Sequence, residues 1–202
     1  MNKRNTFLEF SLFLSSLLFM GSWLTSCDGN DDSSQLSAAD KKAAYEAVKG
    51  DYNGFMIYTA PGTSASSNQN VTVSMSWNIS GDTLLTIKDF RPYFLAQNIE
   101  DSALKNALDT LPAHDLTCSI TYTSLSPVWF LIKPTSPTYN VTYGGASHEV
   151  RVAFYVNSTA SYGRQDEKTN KLLLKITESL IYVDGVSTTA LKHSSPLIFY
   201  TD

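Results

Sequence analysis

Two thiols, three imidazoles and a few adjacent carboxylates carry most of the chemical potential of this 202-residue chain. A metal site needs ligands at spacings such as His-x-x-x-His, and His114, His148 and His193 stand far apart in the sequence. The pairs Asp31-Asp32 and Asp166-Glu167 could exchange protons in a cleft, but both lie in polar stretches of loop composition, where water solvates them. There is no glycine-rich phosphate loop, Gly-x-Ser-x-Gly elbow or Cys-x-x-Cys pair. The sequence therefore predicts no catalysis, no metal and no cofactor. Cys118 alternates with Leu116, Ile120 and Tyr122 in a strand-like run, so it reads as a small buried hydrophobe rather than a nucleophile.

Cys27 is different, because the residues before it give it a task. The cationic pair Lys3 and Arg4 precedes an apolar run from Phe7 to Trp23, and Leu24-Thr25-Ser26 leads into the thiol. A secretory signal peptide has this order, with an apolar core of about 7 to 15 residues. A spanning helix needs about 20 apolar residues, and Glu9 and four serines interrupt this run. Asp28, Asp31 and Asp32 follow it, where a stop-transfer segment would place Lys or Arg. Leu24-Thr25-Ser26-Cys27 resembles the lipobox of bacterial lipoproteins. The resemblance implies cleavage before Cys27 and lipidation of its thiol; a plain cleaved signal and a retained anchor are the alternatives. The chain then divides into a signal peptide (1–26), an acidic tether (27–36) and one domain (37–202).

The tether Asp28-Gly29-Asn30-Asp31-Asp32 resembles the export signal of Bacteroidetes lipoproteins, which implies an outer-membrane anchor with the domain on the cell surface; the periplasmic leaflet is the alternative. Asp-Ser/Thr followed by an apolar residue resembles the O-glycosylation motif of the same group, and it singles out Thr83, Ser102 and Thr110. The formal charge of −4 falls to −5 once Lys3, Arg4 and Glu9 leave with the signal peptide. An acidic domain without clustered Lys and Arg excludes nucleic acid as a partner.

Hydropathy patterning predicts the elements that would position a site. Ser37 is placed as the N-cap of a short Ala-rich helix running to about Val48, with Asp40 at its third position. Val71, Val73, Met75, Trp77 and Ile79 alternate with Thr and Ser, so this strand buries one face. Gly81-Asp82 and Asp184-Gly185 read as hairpin turns. A second helix is predicted within Ile99 to Leu111, where Leu104, Leu108 and Leu111 share a face. The apolar phase of Lys171 to Val183 shifts near Glu178-Ser179, which predicts a bulge. About eight strands with polar outer faces make the chain mainly β: an antiparallel eight-strand-like barrel with a short N-terminal helix and one inserted helix, or else a β-sandwich.

A short helix followed by Gly50-Asp51-Tyr52 and the first strand resembles the opening of lipocalin-like barrels, with Tyr52 where those have Trp and only Lys192 and His193 near the last strand where those have Arg. As a whole the chain resembles small Bacteroidetes lipoproteins with one lipocalin-like, β-rich domain. Tyr52, Trp77, Tyr122, Trp129 and Tyr155 fall in predicted strands, where rings fill a barrel or line a pocket. The expected function is that of a lipid-anchored envelope module binding a small apolar or glycan ligand. The competing reading is an accessory subunit that docks on another envelope protein.

Overall fold

The computed structural model describes residues 36–61 and 68–202. The predicted signal peptide, Cys27 and the acidic tether as far as residue 35 lie outside them. Helix α1 (Ala38–Val48) starts at Ser37, whose Oγ accepts from the Asp40 amide at 3.1 Å and donates to the Asp40 carboxylate at 2.7 Å. The first of these bonds satisfies one amide that the first helical turn leaves without a partner. The strands are β1 (Gly50–Pro61), β2 (Asn68–Gly81), β3 (Leu84–Phe90), β4 (His114–Leu125), β5 (Val128–Pro134), β6 (Thr138–Tyr143), β7 (Ala146–Phe154), β8 (Tyr162–Gln165), β9 (Leu172–Val183), β10 (Val186–Thr188) and β11 (Pro196–Thr201). Two helices, α2 (Tyr93–Ala96) and α3 (Ser102–Asp109), stand between β3 and β4.

Strands β1, β2, β3, β4, β5, β8, β9 and β11 pair antiparallel in that order, and β11 pairs back to β1. The ring is a closed eight-stranded barrel, so the sandwich alternative does not hold. Closure gives every strand of the ring two neighbours. Three further strands, β6, β7 and β10, stand outside the ring. The second half of β9 leaves the barrel and pairs with β7 and β10, and β7 pairs with β6, forming a small extension sheet. The expected bulge lies where β9 makes this transition: Ala153 pairs with Leu180 and Phe154 with Glu178, so Ser179 is the extra residue.

Alternation decides what faces inward. On β1 and β2 the opposed pairs Tyr52–Trp77, Gly54–Met75 and Met56–Val73 point in, and Asn53–Ser76 and Phe55–Ser74 point out. Met56, Trp77, Ile87, Phe130 and Phe199 are at most 1 % exposed. A void large enough for water would leave its lining atoms accessible, so the barrel interior around these side chains is filled rather than hollow. Helix α1 packs on β4 and β5 at the end where β1 begins, with Ala44 and Val48 buried. Helices α2 and α3 lie at the opposite end, where α3 packs on β6 of the extension.

Two turns show how local chemistry sets the strands. Asp184 and Gly185 both adopt left-handed φ, 51° and 79°, as a primed turn between β9 and β10 requires. The β2–β3 turn departs from expectation. Its tip is Asp82-Thr83, Gly81 stays in the strand without positive φ, and a register shift between Ile79 and Gly81 absorbs the difference.

Candidate functional site

Strand β3 pairs with β2 only from Trp77 to Gly81, so the first half of β2 has no β3 partner. The cause lies in β3. Its register with β4 breaks between Ile87 and Phe90, and Asp89 takes a left-handed φ of 48°. Asp115 clamps this kink, because one carboxylate oxygen accepts from Lys88 Nζ at 2.8 Å and the other from the Asp89 amide at 3.2 Å. The hydrogen bond from Lys88 holds the Asp115 carboxyl below the usual aspartate range. The kink carries β3 away from β2 into Arg91-Pro92 and α2, and the barrel wall opens there.

The opening is a groove of about 670 Å³. Its inner wall is aromatic and apolar: Tyr58, Tyr93 and Phe94 with Val73 and Met75. Tyr58 lies 5.3 Å from Phe94 and 6.2 Å from Tyr93 between ring centroids, the latter edge-on. Burial, with Tyr93 beside it, pushes the Tyr58 hydroxyl up to about 12. The rim is charged, with Lys88, Asp89, Arg91 and Asp202. A second groove of about 400 Å³ adjoins it, shares Arg91 and Tyr93, and adds Asp109, Leu111, Pro112 and Ala113. Such an arrangement offers rings to an apolar or sugar face and charges to a polar group beside it.

The five aromatic residues singled out from the sequence separate into two sets. Tyr52, Trp77 and Tyr122 face into the barrel, with Tyr52 stacked on Trp77 at 5.9 Å and its hydroxyl donating to the Val48 carbonyl at 2.7 Å. Trp77 Nε1 and Tyr122 Oη are buried with no hydrogen-bond partner among the described residues. Trp129 is on the outer face, because Val128, Phe130 and Ile132 take the inward positions of β5. Tyr155 falls just past β7 and is exposed, since Val150, Val152 and Phe154 point inward. Neither Trp129 nor Tyr155 lies inside the barrel with the others. Thr83, Ser102 and Thr110 are all exposed: one in the β2–β3 turn, one as the first residue of α3 beside its N-cap Asp101, one as its C-cap.

Comparison with known families adds one finding. A family model described as a domain of unknown function, DUF4840, matches residues 47–183. The chain belongs to the DUF4840 family. The DUF4840 span takes in β1 to β9 and, apart from Asp202, every residue of both grooves; β11, which closes the barrel, lies beyond it. No curated protein and no solved structure matches the chain.

The groove residues carried little signal in the sequence. Tyr93 and Phe94 follow Arg91-Pro92, which reads only as a strand break, and Asp109 stands out only as part of the Asp109-Thr110-Leu111 motif. Burial pushes the Cys118 thiol up, in keeping with a packing role. Among the described residues no cluster of three or more His, Cys, Asp or Glu could hold a metal, and no helix is long and apolar enough to cross a membrane.

Proposed function

We propose that the protein is a lipid-anchored binding module of the bacterial cell envelope, of the Bacteroidetes lipoprotein type, that takes a small apolar or glycan ligand without catalysis. The anchor is Cys27, and the acidic tether directs the domain to the outer surface of the outer membrane. The ligand site is the side groove, because the filled barrel leaves little room beside Trp77 and Phe130, whereas the half-buried Tyr93 ring, backed by the edges of Tyr58 (5 % exposed) and Phe94 (7 % exposed), meets a solvent-open space of about 670 Å³. That observation carries the reading: aromatic surface that is half enclosed and rimmed by charge is how binding sites differ from packed core.

A titration with the neutral fluorophore N-phenyl-1-naphthylamine and a panel of neutral oligosaccharides tests it. The expected result is saturable binding by at least one of them, lost in Tyr93→Ala and retained in Trp129→Ala. Flat titrations with every probe would overturn it.

An accessory subunit that docks on another envelope protein has its own supporting observation. The outer face of β5, β8, β9, β11 and β1 carries two adjacent rows of half-buried apolar residues. Trp129, Leu173, Tyr200 and Phe55 share one row, interrupted on β8 by Arg164, while Leu131, Tyr162, Ile198 and Ile57 share the next, interrupted on β9 by Lys175. Large exposed apolar surface marks association sites. Trp129 stacks on Tyr162 at 5.1 Å, with Arg164 and Lys175 above the two rings, so much of this surface is already occupied by its own side chains. We therefore place the groove first.

A further inference from the structure

Asp109 and Arg91 line the same groove of about 400 Å³ without meeting. Among the described residues neither takes part in an ion pair within 4.0 Å. Asp109 is poorly provided for. Its Oδ1 is shut off from solvent and has no hydrogen-bond partner among the described residues. It is also the last residue of α3, where the negative end of the helix dipole disfavours a carboxylate. Desolvation pushes its carboxyl above the usual aspartate range, and Lys105, one turn earlier, offsets this only by through-space attraction. Arg91 is exposed and sits between the two grooves, both of which it lines together with Tyr93.

A negative group and a positive group that face one space beyond ion-pairing distance suit a molecule bearing both charges, spaced apart. The aromatic groove that continues past Tyr93 suits an apolar body. We propose that the two grooves form one site for a zwitterionic amphiphile, its ammonium on Asp109, its phosphate or carboxylate on Arg91, and its apolar chain along Tyr93, Tyr58 and Phe94. This rests on the side groove being the ligand site. It narrows the ligand to a class that neither a simple hydrocarbon nor a neutral sugar belongs to. The ammonium meets the Asp109 carboxylate through Oδ2, the oxygen that is not shut off from solvent, and the guanidinium supplies the planar donor pair that anionic oxygens favour.

Calorimetric titration with monomeric lauroyl-lysophosphatidylethanolamine, lauroyl-lysophosphatidylglycerol and tail-free phosphoethanolamine tests the assignment. The zwitterionic lysolipid should bind about tenfold more tightly than the anionic one, the ratio expected when one charge-assisted hydrogen bond is gained. Asp109→Asn should remove that preference while leaving the anionic lysolipid unchanged or stronger. Arg91→Gln, at an exposed position, should weaken both lysolipids. Tail-free phosphoethanolamine should bind weakly; binding as tight as the lysolipid's would make a free headgroup, not an amphiphile, the ligand and overturn the proposal. Equal affinity for the two lysolipids, or a preference that survives Asp109→Asn, would overturn it too, while leaving the groove itself intact if N-phenyl-1-naphthylamine still binds. Loss of every lysolipid together with that fluorophore would overturn both readings.

Discussion

Phe130 occupies the space that a side chain at position 163 would need: a Cβ built on Gly163 would lie 2.1 Å from Phe130 Cζ. The two residues are directly opposed on β5 and β8, both facing inward. Gly54 plays a similar part, since a Cβ there would meet the Tyr200 carbonyl at 2.1 Å and Trp77 Cη2 at 3.0 Å. Large rings thus fill the barrel only because bare backbone stands opposite them, and this pushes any ligand site out to the wall.

Gly163→Ala should therefore destabilise the domain by about 1 to 3 kcal/mol, the usual cost of overpacking. Phe130→Leu on its own should also destabilise, by leaving a cavity. The double variant should be more stable than the sum of the two single effects implies, because each change relieves the other. Urea unfolding of the four proteins measures the coupling, and strict additivity would mean that the two residues do not compete for space.

The facing of β2 gives a second expectation. Trp77 is 1 % exposed and touches Phe199 edge-on at 6.0 Å, so Trp77→Ala should cost about 3 to 5 kcal/mol. Ser76, on the outer face, should be replaceable by Ala at almost no cost. Equal unfolding midpoints for the two variants would contradict the register described for β1 and β2.

How much of this was legible in the sequence depended on whether the two faces of a strand differ. On β2 and β4 apolar and hydroxyl residues alternate, and the inward set was readable in advance. On β5 the run Val128-Trp129-Phe130-Leu131-Ile132 is apolar throughout, because its outer face carries the aromatic row, so periodicity could not place Trp129. The groove was hidden for another reason. It exists because β2 and β3 cease to pair, and that depends on the backbone of Asp89 and on Asp115, a residue 26 positions away. No local pattern encodes a missing ladder.

Anchoring is expected to depend on Cys27. Cys27→Ala should release the protein from membranes and abolish incorporation of labelled fatty acid, because each buried methylene of an acyl chain contributes about 0.8 kcal/mol and no comparable apolar segment would remain after cleavage. Wild-type protein that takes no label and fractionates as soluble would contradict the lipobox assignment.

Glu178 sets the last expectation, in the pH dependence of stability. Its side chain is fully buried where β9 passes from barrel to extension, and both carboxyl oxygens lack a hydrogen-bond partner among the described residues. Desolvation holds its pKa well above the usual glutamate range, so the folded protein keeps the proton. Below the ordinary glutamate pKa of about 4.3, both folded and unfolded chains are protonated and the residue has no effect on the pH profile. Above it the unfolded chain ionises while the folded one does not. The unfolded state then binds fewer protons, and stability falls as pH rises until the folded carboxyl itself titrates. Glu178→Gln removes this linkage. Its thermal midpoint should differ little from wild type near pH 4, and the difference should move steadily in favour of the variant towards pH 8. A difference that stays constant over that range would mean Glu178 ionises alike in both states, which a carboxyl without water or partners does not do.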